Sequence, residues 1–203
     1  MKICSVTLVA RIMCVLAVTA AGAYATPLTI NVPITASGGI TFIAGDSPAF
    51  GDNVTIAPGV AITSGATVTA DAGDDFILGS GSNITAATAI VVNLDFGNAD
   101  PGTGATALLA GVLAAPAITI NGGADFDVLN YLGALATVAF DAGDSTSGTI
   151  SGAGIATITF HNIESVIGNV QSPTPTAVPE PASLLLVGTV LLGAQRFRKR
   201  NRR

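Results

Sequence analysis

The sequence predicts an all-β protein, most simply a parallel β-solenoid or β-helix-like fold, with a β-sandwich as the alternative. Three observations lead there. Short runs of Thr, Val, Ile and Ala dominate residues 26–175. Gly, Asp, Asn or Pro interrupts them every few residues. A weak internal repeat links two parts of this region. β-Branched residues fit the half-buried pleat of a strand, and Gly and Asp supply the corners between strands. Repeated short strands with such corners suit a fold in which each turn of chain stacks on its neighbours.

Taken in order, the expected strands are Leu28–Ile34, Ile40–Ile43, Val54–Ala57, Val60–Thr63, Ala66–Ala70, Ala89–Asp95, Ala117–Ile120, Ala136–Phe140 and Ile155–Phe160. No segment of this region has a sustained 3.6-residue amphipathic period. The one exception is Ala105–Ala115 (A-T-A-L-L-A-G-V-L-A-A), which reads as a short helix. In the repeat, Asp71–Leu78 aligns with Gly122–Leu129, placing Asp74 against Asp125. Val92–Asn98 then aligns with Val138–Asp144, placing Asp95 against Asp141. Phe42, Phe50, Phe76, Phe96, Phe126, Phe140 and Phe160 are expected to fill the interior.

Charge is segregated. All eight Lys and Arg residues lie at positions 2, 11 and 196–203, and twelve of the 13 acidic residues lie within 26–175. A region of one sign repels nucleic acid and anionic lipid and attracts cations, so nucleic-acid binding is excluded.

The N-terminus reads as a secretory signal peptide over 1–25. Lys2 and Arg11 precede an apolar stretch from Ile12 to Gly22, and Ala23-Tyr24-Ala25 is an A-x-A cleavage site. Signal peptidase and the Sec translocon are the partners this implies. Cys4 and Cys14 both fall in the removed part, so the exported product has no disulfide, thiolate nucleophile or Cys-ligated metal.

The C-terminus has three parts. Ser172–Val178 is an extended Pro/Thr linker. Val178-Pro179-Glu180-Pro181 follows, then an apolar run from Ala182 to Ala194 expected to form a transmembrane helix over 182–195. Arg196, Arg198, Lys199, Arg200, Arg202 and Arg203 close the chain. The apolar run can enter a bilayer and the basic cluster cannot follow, which holds that end on the cytoplasmic side. At 13 residues the run is short against the ~20 that a span ordinarily needs.

This tail resembles the PEP-CTERM sorting signal of Gram-negative bacteria, through its Pro-Glu-Pro box, apolar helix and Arg-rich end. The resemblance implies handling by a membrane-embedded exosortase with cleavage near Pro179-Glu180-Pro181. It also implies an inner-membrane intermediate, and delivery to the cell surface or an exopolysaccharide matrix. Residues 121–169 resemble the surroundings of hemolysin-type (RTX-like) calcium-binding repeats, through Gly122–Tyr131 and Phe160–Gly168. That likeness implies Asp carboxylates aimed at calcium between successive turns.

Three acidic groups are candidate cation ligands: Asp71, Asp74 and Asp75; Asp125 and Asp127; Asp141 and Asp144. Asp also caps turns for purely structural reasons. Any calcium they bind is expected to be weak, at roughly 10⁻⁴–10⁻³ M. No other cofactor is expected. Catalysis is not expected either. His161 is the only histidine, no G-x-S-x-G elbow is present, and phosphate chemistry would lack a Lys or Arg clamp. Glu164 is the one Glu of the exported region, and Trp is absent as a sugar platform. The expected role is therefore an exosortase-processed structural or adhesive protein of the surface or matrix, associated with exopolysaccharide or biofilm. A carbohydrate- or calcium-binding module and a polysaccharide-acting enzyme are the alternatives. N-terminal sequencing of the exported product should begin at Thr26; retention of Lys2 and Arg11 would contradict the signal-peptide reading.

Overall fold

The structure, a computed structural model, describes residues 27–48, 51–97 and 99–172. Sixteen strands and no helix are found among them. They are β1 (Leu28–Ile30), β2 (Ile34–Ala36), β3 (Ile40–Ala44), β4 (Val54–Ile56), β5 (Ala61–Ser64), β6 (Thr67–Ala72), β7 (Phe76–Leu78) and β8 (Asn83–Ala86). After them come β9 (Ala89–Asn93), β10 (Thr106–Leu109), β11 (Val112–Ala114), β12 (Ala117–Asn121), β13 (Val128–Asp141), β14 (Asp144–Gly152), β15 (Ile155–His161) and β16 (Ser165–Gln171). The all-β expectation holds.

Pairing follows a rule of three. β1, β4, β7, β10 and β13 form one parallel ladder, β2, β5, β8 and β11 a second, and β3, β6, β9, β12 and β15 a third. In the first ladder Leu28 pairs with Val54, Val54 with Phe76, Phe76 with Ala107, and Ala107 with Leu129. The Val54–Phe76 and Ala107–Leu129 steps are equal and shortest, and the Phe76–Ala107 step between them is the longest. β14 runs antiparallel to both β13 and β15. It joins the first and third ladders into one mixed twelve-stranded sheet, while the second ladder is a separate four-stranded sheet.

This pattern follows from side-chain period. A strand sends alternate residues to opposite faces, so parallel strands in register line like residues into columns. In the second ladder Ile34, Ile62, Ile84 and Leu113 form one column, and Ile62 and Ile84 are buried. Thr35, Thr63 and Thr85 form the adjacent column and are exposed. In the third ladder the inward column is Ala70, Val92, Ile120 and Phe160. Burial of each such Ile, Leu or Phe contributes about 1.5–3 kcal/mol.

Three expectations are corrected. Ala105–Ala115 is not helical; it supplies β10 and β11. Ala107 and Leu109 are buried while Thr106 and Leu108 are not, so it is the two-residue period of a strand that matches their burial. The repeat alignment is displaced. Phe76 lies two pairings from Leu129, and the same separation carries Asp74 to Asp127 rather than to Asp125. Val92 stacks on Ile120 in the third ladder, whereas Val138 pairs with Ile150 in the antiparallel part, so these two are not equivalent.

Third, only some of the phenylalanines are interior. Phe42, Phe76 and Phe160 are buried, but Phe96, Phe126 and Phe140 are 44%, 63% and 47% exposed. Alternation explains Phe126, because the turn sends Asp127 inward and so leaves its neighbour outside. Phe140 packs its ring edge-on against Phe160 at a centroid distance of 5.7 Å while staying at the surface. Phe50 lies outside the described residues. Phe76→Ala should cost about 3–5 kcal/mol of stability by calorimetry or denaturant titration. Phe126→Ala should stay within about 0.5 kcal/mol of the parent. Equal losses at both sites would refute the inward and outward assignment.

Candidate functional site

The acidic residues concentrate at the corner that enters the first ladder. Asp52 and Asp74 each stand two residues before their strand, β4 and β7 respectively; Asp127 stands just before β13. The intervening equivalent position is Ala105. With no Lys or Arg between residues 26 and 175, their carboxylates turn to backbone N–H groups. Asp52 Oδ2 accepts from Ser47 N at 2.8 Å. Asp74 Oδ2 accepts from Asp52 N at 2.6 Å and also from Gly51 N. Asp127 Oδ1 accepts from Ala105 N at 2.8 Å, and its Oδ2 from Gly123 N at 2.5 Å. Glu164 Oε2 accepts from Asp127 N at 2.7 Å. Asp74, Asp127 and Glu164 each tie their own turn to the one beneath.

The next position repeats the device. Asn53 Oδ1 accepts from Asp75 N at 2.9 Å, and Asp75 Oδ1 accepts from Thr106 N at 2.8 Å. On the third ladder the side chains bond to one another. Asn93 Nδ2 donates to Asp71 Oδ1 at 2.6 Å and Asn121 Nδ2 donates to Asn93 Oδ1 at 2.8 Å, following the in-register column Asp71–Asn93–Asn121.

Glycine permits the close approach of the corners. A Cβ at Gly122 would overlap the carbonyl of Asn162 and come within 2.6 Å of Asp127 Oδ2, and one at Gly123 would overlap the Asp95 carboxylate. Gly122 and Gly123 are thus needed for room between stacked corners.

The remaining candidates sit elsewhere. Asp125 Oδ2 accepts from Gly102 N at 2.8 Å. Asp141 and Asp144 pair across the β13–β14 turn and are exposed, and Asp144 Oδ1 accepts from Thr146 N and Oγ1, both at 2.8 Å. His161 ends β15 with an exposed side chain. The three predicted acidic groups do not merge. Among the described residues no three His, Cys, Asp or Glu side chains are gathered as a ready metal centre. A cavity of about 300 Å³ lies at the end of the second ladder, with apolar walls that include Leu109, Leu113, Ile155 and Ile158. None of the candidate acids lines it, and Tyr131 is its titratable group, pushed above 10.0 by burial.

Sequence reading did not select Asp46, Asp52, Asp95 or Asp100 as candidate ligands. The Asp52–Asp74 interval, which equals the Val54–Phe76 step of the first ladder, was the available signal.

Burial raises the titration of Asp75, Asp95, Asp100 and Asp127 above the ordinary 3.8. At Asp127 the donors Ala105 and Gly123 oppose the rise, and the charges of Asp95 and Glu164 add to it. Asp144 is held below 3.8, first by the Thr146 N–H and then by the Ser147 and Thr146 hydroxyls. For the four raised groups the folded state binds protons more tightly than the unfolded state. Their stabilising effect is full below 3.8 and is lost as pH rises through the raised values. Asp144 acts oppositely, losing its effect as pH falls below 3.8 through its lowered value.

The melting midpoint should therefore fall as pH is raised from 3.8 and then level off. Asp127→Asn should flatten part of that fall. Asp127→Ala should cost about 1–3 kcal/mol, because the Ala105 and Gly123 N–H groups lose their acceptor. A midpoint rising across this window would contradict the assignment.

The predicted sorting and processing residues Val178, Pro179, Glu180 and Pro181, the cleavage-site residues Ala23 and Ala25, and the basic residues from Arg196 to Arg203 lie outside the described residues, as does the expected helix over 182–195. Within the described residues no helix is long and apolar enough to cross a membrane. No curated protein and no solved structure matches the chain. One family model does match, the PEP-CTERM protein-sorting motif, over residues 177–201. The match takes in the Pro-Glu-Pro box, the apolar run and most of the basic cluster. The chain carries a PEP-CTERM sorting signal, which marks it as an exosortase-targeted protein exported to the cell surface.

Proposed function

We propose that this is a structural or adhesive component of the cell surface or extracellular matrix, associated with exopolysaccharide or biofilm. In this reading exosortase removes the tail near Pro179-Glu180-Pro181 and frees a β-solenoid passenger spanning residues 26–171. The observation that carries the proposal is the sorting motif over 177–201. The parallel ladders, with every third strand stacked in register, support the solenoid reading over a sandwich.

A non-catalytic role fits the chemistry of the passenger. Its most buried carboxylates are engaged with backbone N–H groups and neighbouring amides. Glu164 caps Asp127 N, and His161 ends β15 with an exposed side chain. Such a surface offers a stiff, acidic and threonine-faced body rather than a reactive cleft.

Fractionation of the producing cells tests the proposal. The parent protein should reach the surface or matrix with a mass that ends near Val178–Pro181. Replacing Pro179, Glu180 and Pro181 by Ala should leave it in the inner-membrane fraction with its tail attached. In cells unable to make exopolysaccharide, the processed passenger should shed into the medium. Unchanged delivery of the variant would overturn the sorting step, and unchanged retention without exopolysaccharide would overturn the matrix role.

A further inference from the structure

Exposed apolar side chains gather at the C-terminal end of the second ladder. Val112 on β11 is 61% exposed, and Leu132 and Leu135 on β13 are 46% and 66% exposed. The apolar cavity opens among them, walled by Val112 and by Gly133 and Ala134, the residues between the two leucines. The fold explains why this place stays open. β14 closes the sheet between β13 and β15 and gives β11 no new partner. Among the described residues β11 therefore pairs only with β8.

Charge sets this patch apart. The stretches that supply it, 101–124, 128–140 and 145–163, contain no Asp or Glu. Asp52, Asp74 and Asp127 stand where the third ladder passes into the first, the one corner that no second-ladder strand enters or leaves. Asp141 and Asp144 flank the β13–β14 turn, whereas it is the β14–β15 turn, at Gly154, that lines the cavity. The chain also leaves the domain beside the patch. β16 pairs Val170 with Ala136 and Gln171 with Thr137, the residues that follow Leu135. Residues 173–181 alone separate this exit from the apolar run at Ala182, a reach of at most roughly 35 Å when fully extended.

We propose that this patch contacts the membrane surface while the tail is still attached, with Val112, Leu132 and Leu135 entering the boundary between headgroups and acyl chains. The inference rests on the reading of the tail as a membrane anchor before exosortase cleavage. Contiguous exposed apolar surface marks contact with a membrane or a protein, and two observations select lipid here. The short tether keeps a bilayer within reach of Leu135. The acid-free patch also escapes the repulsion that anionic headgroups impose on the acidic corner. The free edge of β11 still needs water for its backbone groups, so the contact is interfacial and does not span. A few apolar side chains bind a membrane only reversibly, so cleavage of the tail releases the patch as well.

The chain has no Trp, so a single introduced reporter can read the contact. Leu135→Trp and Phe126→Trp are compared in the tail-bearing protein, purified in detergent and reconstituted into phosphatidylcholine vesicles with or without bromine-labelled acyl chains. The two positions are similarly exposed, but Phe126 stands between Asp125 and Asp127. Bromine should quench the Leu135→Trp emission roughly twofold or more, as an interfacial side chain reaches the labelled chains, and leave Phe126→Trp unchanged. A water-like emission from Leu135→Trp overturns the contact. So does a blue-shifted emission that resists bromine, which means a second copy covers the patch, and so does equal quenching of both variants. If neither variant floats with the vesicles, the anchor reading has failed and the contact falls with it; flotation without quenching refutes the contact alone.

Discussion

Each short strand of this protein depends on a parallel partner one turn of chain away. β4 has three residues, and alone it could not hold Val54 and Ile56 out of water. Between β1 and β7, its backbone groups pair on both sides and both residues become fully buried. Register then leaves little freedom. A slip by one residue would turn the buried Ile62–Ile84 column outward and bring Thr63 and Thr85 into the core. The sequence meets this constraint with β-branched residues on both faces, Ile and Val inside and Thr outside.

The corners carry the second half of the design. Stacked turns bring backbone N–H groups beneath one another with no strand to receive them, and a buried donor without an acceptor is costly. Asp74, Asp127 and Glu164 reach down to those donors, and Gly122 and Gly123 make room for the approach. Carboxylates in this role need no cationic partner, consistent with a passenger free of Lys and Arg. The same segregation of charge suits the sorting signal, whose basic residues all lie at the end of the chain.

Strand-forming runs were legible because β-branched residues and Gly/Asp punctuation are local signals. The sorting signal was legible for the same reason, its three parts being contiguous. Ala105–Ala115 misled because Ala and Leu favour helix in isolation, whereas the partners of Ala107 are Phe76 and Leu129, residues distant in sequence. The repeat misled because the most similar words in the chain, around Asp74 and Asp125, straddle turns of unequal length. Asp95 was matched only to Asp141 and Asp100 to nothing, because both lie in the inserted stretch that makes the Phe76–Ala107 step longer than the Val54–Phe76 step. The exposed Phe126 and Phe140 show that hydrophobicity alone does not reveal which side of a pleat a residue takes.

Cysteine cross-linking tests the stacked register most directly. Thr63 and Thr85 face outward on adjacent strands in register, and neighbouring strands lie about 4.8 Å apart, within disulfide reach. With Cys4 and Cys14 replaced, Thr63→Cys paired with Thr85→Cys should oxidise readily to an intramolecular bridge. Thr63→Cys paired with Thr149→Cys, on β14 of the other sheet, should not. Failure of the first pair, or equal bridging in both, would contradict the parallel stacking on which this account rests.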